Sequence, residues 1–532
     1  MTAMRRPLPL VAALVLLLLA MALRAPSLTA GRPYMSYVDE GNYLHPVARM
    51  LRTGAWDPGW YMYPQLPVSA AAAAARLYSP LHPDRHGGRT FQQDLSVGRV
   101  VYDLLEPFEL LLAGRVLSFL TGLGVVALTG LFAWRLAGRS MAAGLFAAFL
   151  AAVLPPLVIR GGIATVDPWA TLFVLASFYY AERLRASERP VRETVLGGLM
   201  AGFAFASKYP AVLAAVGIGT IILFSDRTWR EKIRLAVIGG IATGVGMVVA
   251  MPALVYNLRG VWLALRHQNE LYENLPTTPT LWAQTVHRAE WDLPYEHPEL
   301  GYAYLVLVAA GTVVALRDRR TARAVAGWLV FFLICLVLYT PKSFQAFRNL
   351  LPLMPLSVLL VTLFYLKVRE WLGRRAWSRA LVDVGAVLLV LALFARPVTG
   401  YVQDRYRLVD SRTQAIDWLA ARVRPEQRVM VLRELAFVQS ELRRLPATIV
   451  PRRLPQTAAT ARQRRADYLL VGHVGSAKGP IDMALLPPIQ RNYRLVAQFG
   501  EHTTPPATGW WTGNRQVVYV FEKKPWRKRR AP

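Results

Sequence analysis

A single cysteine, Cys335, sits inside an apolar run, so the chain cannot form an internal disulfide and its cysteine usage says nothing about compartment. Acidic residues are also scarce: 33 Asp and Glu stand against 62 Lys and Arg, a formal net charge of +29. No Walker loop, GxSxG elbow or CxxC pair occurs, and the eight histidines form no HExxH. A nucleotide-driven reaction therefore has no visible machinery, and no nucleotide cofactor is expected.

The apolar side chains are grouped in long runs. Segments such as VAALVLLLLAMAL, LLVTLFYL and VGAVLLVLALFA alternate with arginine clusters, in a chain that is 54% hydrophobic with mean hydropathy +0.30. That is the composition of a membrane protein. In such a chain Lys and Arg act first as topology signals, so the basic balance does not point to nucleic acid. The first run follows Arg5 and Arg6 like a signal peptide but lacks a convincing small-residue cleavage site. It is read as an uncleaved first helix.

Spans are expected at 9–23, 110–133, 141–158, 163–181, 195–206, 211–224, 235–256, 301–316, 324–339, 350–366 and 380–395. Alternate gaps between them hold nineteen Lys and Arg, in clusters such as Arg183, Arg185, Arg189 and Arg192. The opposite short gaps hold only Arg160, Lys208, Lys342 and Arg348. Nineteen against four places the N-terminus in the cytoplasm. A long loop (25–109), a shorter one (257–300) and the tail then fall outside. The expected fold class is an all-α polytopic membrane bundle of about eleven transmembrane helices (residues 1–396). A small C-terminal α/β extracytoplasmic domain (397–532) ends in a basic tail.

Two of these spans, 195–206 and 211–224, are too short to cross a hydrocarbon core of about 30 Å singly. Basic clusters on both flanks argue against one continuous helix and for a short hairpin turning at Ser207-Lys208-Tyr209-Pro210. In the first outer loop, 42–51 and 69–78 carry helical patterns separated by an aromatic turn, WDPGWYMYP. The tail is expected to hold a helix at 411–423 and strands at 428–432, 468–471 and 516–521.

Ionisable residues collect at the outer helix ends: Asp39 and Glu40, Asp167, Lys208, Lys342, Arg348, and Arg115 inside its span. Charges near the membrane core are functional candidates because burying them is expensive. Each also has a plainer alternative. Asp39 and Glu40 fit a solvated loop pair and Asp167 a helix N-cap, while Lys208, Arg348 and Arg115 fit snorkelling anchors. His287, Glu290, Glu296 and His297 form a loose metal-site candidate in the second outer loop.

YVDEGNYLHPVARMLRTGAWDP (37–58) resembles the first outer loop of the C-type (GT-C) membrane glycosyltransferases, which include the protein mannosyltransferases and the aminoarabinose transferase of lipid A. Tyr63-Pro64-Gln65-Leu66-Pro67 is similar to that superfamily's aromatic-proline segment. GRVLSFLTGLGVVALTGLFAWRLAGR (114–139) resembles its second span, and IRGGIATVDPWATLFVLASFYYAERL (159–184) the span with its second acid. ASKYPAVLAAV (206–216) resembles its Lys-containing hairpin, and FRNLLPLMPLSVLL (347–360) its Arg-then-LLPLLP helix. The matches run in order over about residues 35–365, while the tail tells little about the acceptor.

The resemblance implies a GT-C fold and transfer of a sugar from a polyprenyl-phosphate donor to an unknown envelope acceptor (protein, lipid or polysaccharide). It also implies a multi-pass protein of the bacterial inner membrane with an extracytoplasmic site. On that reading Asp39 is the general base, Glu40 orients the loop or acceptor, and Asp167 holds a sugar hydroxyl or a cation. Lys208 and Arg348, with Lys342 and Arg115, hold the donor phosphate. A divalent metal is left open. The alternatives are a membrane transporter or lipid flippase, and a membrane-anchored sensor whose business is the tail.

Overall fold

The computed structural model describes residues 7–34, 39–78, 107–185, 187–274, 298–339, 347–374, 378–432, 437, 439–452, 465–473, 486–500 and 517–525. It divides into two compact units. One comprises Met1–Thr29, Asn42–Tyr78 and Leu112–Tyr406; the other comprises Ala30–Gly41, Ser79–Leu111 and Arg407–Pro532.

The first unit is helical. Among the described residues six of its segments are long and apolar enough to cross a membrane: Pro9–Thr29, Leu110–Leu136, Trp229–Ala250, Thr321–Leu338, Arg348–Gly373 and the one beginning at Arg379. Shorter apolar helices lie at Met141–Val153, Tyr209–Leu223 and Ala303–Arg317. The Trp229–Ala250 helix shows how such a segment meets lipid. Ile233, Val237, Ile241, Val245 and Val249 form an exposed apolar stripe, while Gly239, Ala242, Thr243 and Gly246 are buried. With lipid outside there is no hydrophobic drive to pair helices, so the buried face uses small residues that allow backbone contact. A Cβ on Gly202 of the Pro190–Ser207 helix would stand 2.4 Å from Thr243 O, and one on Gly198 2.6 Å from Gly239 O. Gly202→Ala should therefore lower the thermal midpoint in detergent, by an overpacking cost of about 1–3 kcal/mol. Gly244→Ala, with nothing within 4 Å, should not lower it. Equal midpoints for the two variants would show that the helices are not at backbone contact.

Proline and glycine divide the apolar runs. The expected span at 141–158 is two helices, Met141–Val153 and Pro155–Arg160, because Leu154 precedes Pro155-Pro156 and is extended there. The following helix starts at Asp167 rather than Ile163. The hairpin's first arm, Pro190–Ser207, is longer than its apolar core suggested, with proline in its first turn and Glu193 bonded to Arg183 at 2.9 Å. Its chain breaks at Lys208, passes through a 3₁₀ turn at Tyr209–Leu213 and returns as Ala214–Leu223. A Cβ on Gly197 would lie 3.5 Å from Ile218, so the arms run antiparallel.

In the second unit the helix Ser411–Ala420 packs on a mixed five-stranded sheet in the order β2-β1-β3-β5-β4. The strands are β1 Arg428–Leu432, β2 Thr448–Arg452, β3 Tyr468–His473, β4 Tyr493–Phe499 and β5 Val517–Lys523. β1 pairs parallel with β2 and β3, and β5 antiparallel with β3 and β4. The sequence reading missed β2 and β4. β2 contains Pro451, which is tolerated because β2 is an edge strand. β4 carries a register shift between Leu495 and Ala497 that breaks its alternation.

Candidate active site

The site in the first unit is built on a gap where only small residues fit. Arg160 ends its short helix, and Gly161 and Gly162 carry the chain past the end of the first helix. A Cβ on Gly162 would sit 2.4 Å from the Ser27 Cβ, and one on Gly161 2.8 Å from the Arg24 Nε. Arg24 is fully buried and donates to Ala20 O, Ala151 O and Ala152 O at 3.0–3.2 Å. It thereby satisfies terminal carbonyls of the Met141–Val153 helix, which have no partners within that helix. The Tyr401 hydroxyl lies 2.8 Å from Ser27 Oγ and 3.3 Å from Ile159 O, tying the same corner to the last long helix. The gap is thus a packed turn, and from it the next helix starts at Asp167 with Pro168 in its first turn.

Lys208 reaches this point from the hairpin tip. It is extended (φ −154, ψ 118) between the two helical segments, and its backbone N–H closes the first arm on Ala204 O. Its Nζ lies 2.6 Å from Asp167 Oδ1, with the Asp167 side chain 4% and the Lys208 side chain 13% exposed. Arg160 and Arg348 act on the same carboxylate. Arg160 is buried, and Arg348 lies in the 3₁₀ turn Phe347–Leu353. Three cations from three separate segments thus gather around one buried carboxylate. A carboxylate this far from water needs such partners, and it holds the lysine in one place in return.

The segment holding Asp57 and Tyr61 is pinned to the same hairpin tip. The Tyr209 hydroxyl donates to Tyr61 O at 2.7 Å, and Tyr61 packs with Phe205, Ala206, Tyr209, Ala250 and Val261. The Tyr61 hydroxyl donates to Asp57 Oδ1 at 2.5 Å and accepts from Asn257 Nδ2 at 3.0 Å. Burial, with the Asp57 carboxylate beside it, pushes the Tyr61 phenol well above its ordinary value. Gln65 donates to Trp56 O and to the Tyr256 hydroxyl, and accepts from the Ala253 N–H. Gly59, at φ +61, makes the turn between Asp57 and Tyr61.

The structure thus brings together Asp167, Lys208 and Arg348 from the sequence reading. It adds Arg160, which the charge count had used only as a topology marker. Arg115 is fully buried and donates to Leu28 O at 3.1 Å. Asp39 and Glu40 belong to the second unit, where both are buried in the first turn of the helix Asp39–Thr53. The positive end of a helix favours carboxylates there. Lys342 and the candidate metal ligands His287, Glu290, Glu296 and His297 lie outside the described residues. Among the described residues no three His, Cys, Asp or Glu side chains gather in a way that would hold a metal ion.

Comparison with solved structures finds this fold among C-type membrane glycosyltransferases. ArnT from Cupriavidus metallidurans in the apo state is similar at TM-score 0.57 with 11% identity, over 96% of this chain and 97% of that one. The same ArnT bound to undecaprenyl phosphate gives 0.54 and 13%, over the same shares. The oligosaccharyltransferase AglB from Archaeoglobus fulgidus, in complex with an inhibitory peptide and a dolichol-phosphate, gives 0.52 and 11% over 88% of this chain and 70% of that one. Residues 111–256 match the family model described as dolichyl-phosphate-mannose-protein mannosyltransferase. No curated protein matches the sequence. The chain therefore shares its fold with these glycosyltransferases, and one internal stretch of it matches the mannosyltransferase family model.

Proposed function

We propose that this protein is an integral-membrane glycosyltransferase that moves a sugar from a polyprenyl-phosphate donor to an envelope acceptor on the extracytoplasmic face of the bacterial inner membrane. The observation that carries the reading is the gathering of Lys208, Arg160 and Arg348 around buried Asp167, in a fold shared with ArnT. The acceptor hydroxyl attacks the anomeric carbon and gives its proton to Asp39, which acts as general base with Glu40 beside it. The bond from the anomeric carbon to the phosphate oxygen breaks, and its electron pair leaves with the polyprenyl phosphate. That phosphate gains a negative charge, so fixed cations close to it stabilise the transition state more than the ground state. Lys208, Arg160 and Arg348 take this role, with Lys342 and Arg115 completing the donor side. Asp167 orients Lys208 and faces the sugar. The charge split across the helices supports an outward-facing site and an outward-facing tail.

The reading and its sidedness are tested together in sealed membrane vesicles given short-chain polyprenyl-phosphate hexoses and pentoses with an envelope extract. Right-side-out vesicles should release polyprenyl phosphate and glycosylate the extract, while inverted vesicles and vesicles from a deletion strain should not. Movement of intact donor across the bilayer without cleavage would replace the reading with a flippase. Cleavage confined to inverted vesicles would refute the sidedness.

A further inference from the structure

The proposed chemistry leaves the C-terminal sheet without a task, yet the segment that carries the proposed base belongs to it. Ala30–Gly41 is part of the same compact unit as Arg407–Pro532. Within that unit Tyr34 is 2% exposed and packs into the sheet's core with Ala415, Ile416 and Leu419 of the Ser411–Ala420 helix and with Val429 and Leu470 of the strands. The Arg412 guanidinium lies over the Tyr34 ring, 3.6 Å from its centroid. Arg412 is held there by Asp410: Nε donates to Oδ1 at 2.8 Å and Nη2 to Oδ2 at 2.9 Å. The same Oδ1 accepts the Arg412 backbone N–H at 2.9 Å, so Asp410 also caps the helix. All three side chains are buried. A planar guanidinium gripped by a two-pronged carboxylate has little rotational freedom, and a desolvated cation binds an aromatic face more tightly than an exposed one. The ring is therefore fixed to the tail domain by directed contacts as well as by burial.

Asp39 follows Tyr34 by five residues, a span of at most about 18 Å even when fully extended. We propose that the Tyr34–Arg412–Asp410 stack is a positioning device through which the tail domain sets the placement of Asp39 for proton removal. The inference rests on the reading of Asp39 as base and assigns the tail a role in the reaction rather than in acceptor binding alone. Tyr34, Arg412 and Asp410 are positioning residues and touch no reacting atom.

The test uses the full-length protein, with turnover and binding of a short-chain polyprenyl-phosphate sugar measured on each variant. Tyr34→Ala should lose on the order of 10²-fold in kcat, the scale of a roughly 1 Å misplacement, with donor binding little changed. Tyr34→Phe keeps the ring and should restore turnover. Arg412→Lys keeps the charge but loses the planar fork, so it should show the same kcat-selective defect, and it serves if Tyr34→Ala does not fold. The inference is overturned if folded Tyr34→Ala or Arg412→Lys turns over normally, if donor binding falls in parallel with turnover, or if Tyr34→Phe fails to rescue. An inactive Asp39→Asn beside a fully active Tyr34→Ala would remove this inference and leave the reaction standing. A fully active Asp39→Asn would remove both.

Discussion

Replacing Lys208 with alanine should reduce turnover by about 10²–10³-fold and weaken donor binding as well. The loss has two physical sources that must be separated. One, on the proposed reading, is the missing cation at the leaving phosphate. The other is the Asp167 carboxylate, which is 4% exposed and loses the lysine it holds at 2.6 Å. Breaking one side of a buried pair typically costs about 3–5 kcal/mol, so the single variant should also melt earlier. Lys208→Ala combined with Asp167→Asn removes the abandoned charge and should recover much of the thermal stability. If Lys208 serves the phosphate, the double variant stays slower than Asp167→Asn alone. If turnover returns with stability, Lys208 is only the counter-ion of Asp167, and the phosphate role passes to Arg160 and Arg348. Lys208→Arg should fall between, because a guanidinium keeps the charge but not the compact ammonium geometry.

The parts of the site that were legible in the sequence share one property: each sits beside a local signal that stops a helix. Asp167 precedes Pro168 and follows a Gly-Gly pair, Lys208 precedes Tyr209-Pro210, and Arg348 precedes Pro352 by four residues. An apolar run interrupted by a breaker and a charge identifies a helix mouth without tertiary information. Arg160 carries the same local signal yet was read only as a topology marker, because an arginine at a helix end serves either purpose. What separates the two is burial, and that depends on Gly161 and Gly162 packing against Arg24 and Ser27, more than 130 residues away in sequence.

The same limit applies to the fold. β1 and β3 were visible because short β-branched and leucine-rich runs have few other readings, whereas the bulge in β4 hides its alternation and Pro451 disguises β2. The placement of Tyr34 in the core of the tail unit had no signal at all. A lone tyrosine in a loop near residue 30 pairs with an arginine near residue 410 only through the folded sheet. Local periodicity reports which face of an element is apolar, but not which distant segment covers it.

Asp39→Asn should lower turnover by about 10²–10⁴-fold while leaving donor binding little changed, the opposite division from Lys208→Ala. The amide keeps the size and much of the hydrogen bonding of the carboxylate but cannot accept a proton at neutral pH. Asp39 is buried in the first turn of the Asp39–Thr53 helix, so removing its charge should also cost stability, up to about 2 kcal/mol from the helix end alone. A folded variant whose kinetic defect far exceeds its loss of stability therefore marks chemistry rather than folding. Glu40 is the internal control: it is buried in the same turn but points elsewhere, since neighbouring helical residues do not share a face. If Asp39 is the base, Glu40→Gln should affect the apparent affinity for the acceptor more than the maximal rate. If Asp39→Asn turns over normally and Glu40→Gln does not, the base is Glu40. The Tyr34 stack would then be positioning the residue one step further along the chain.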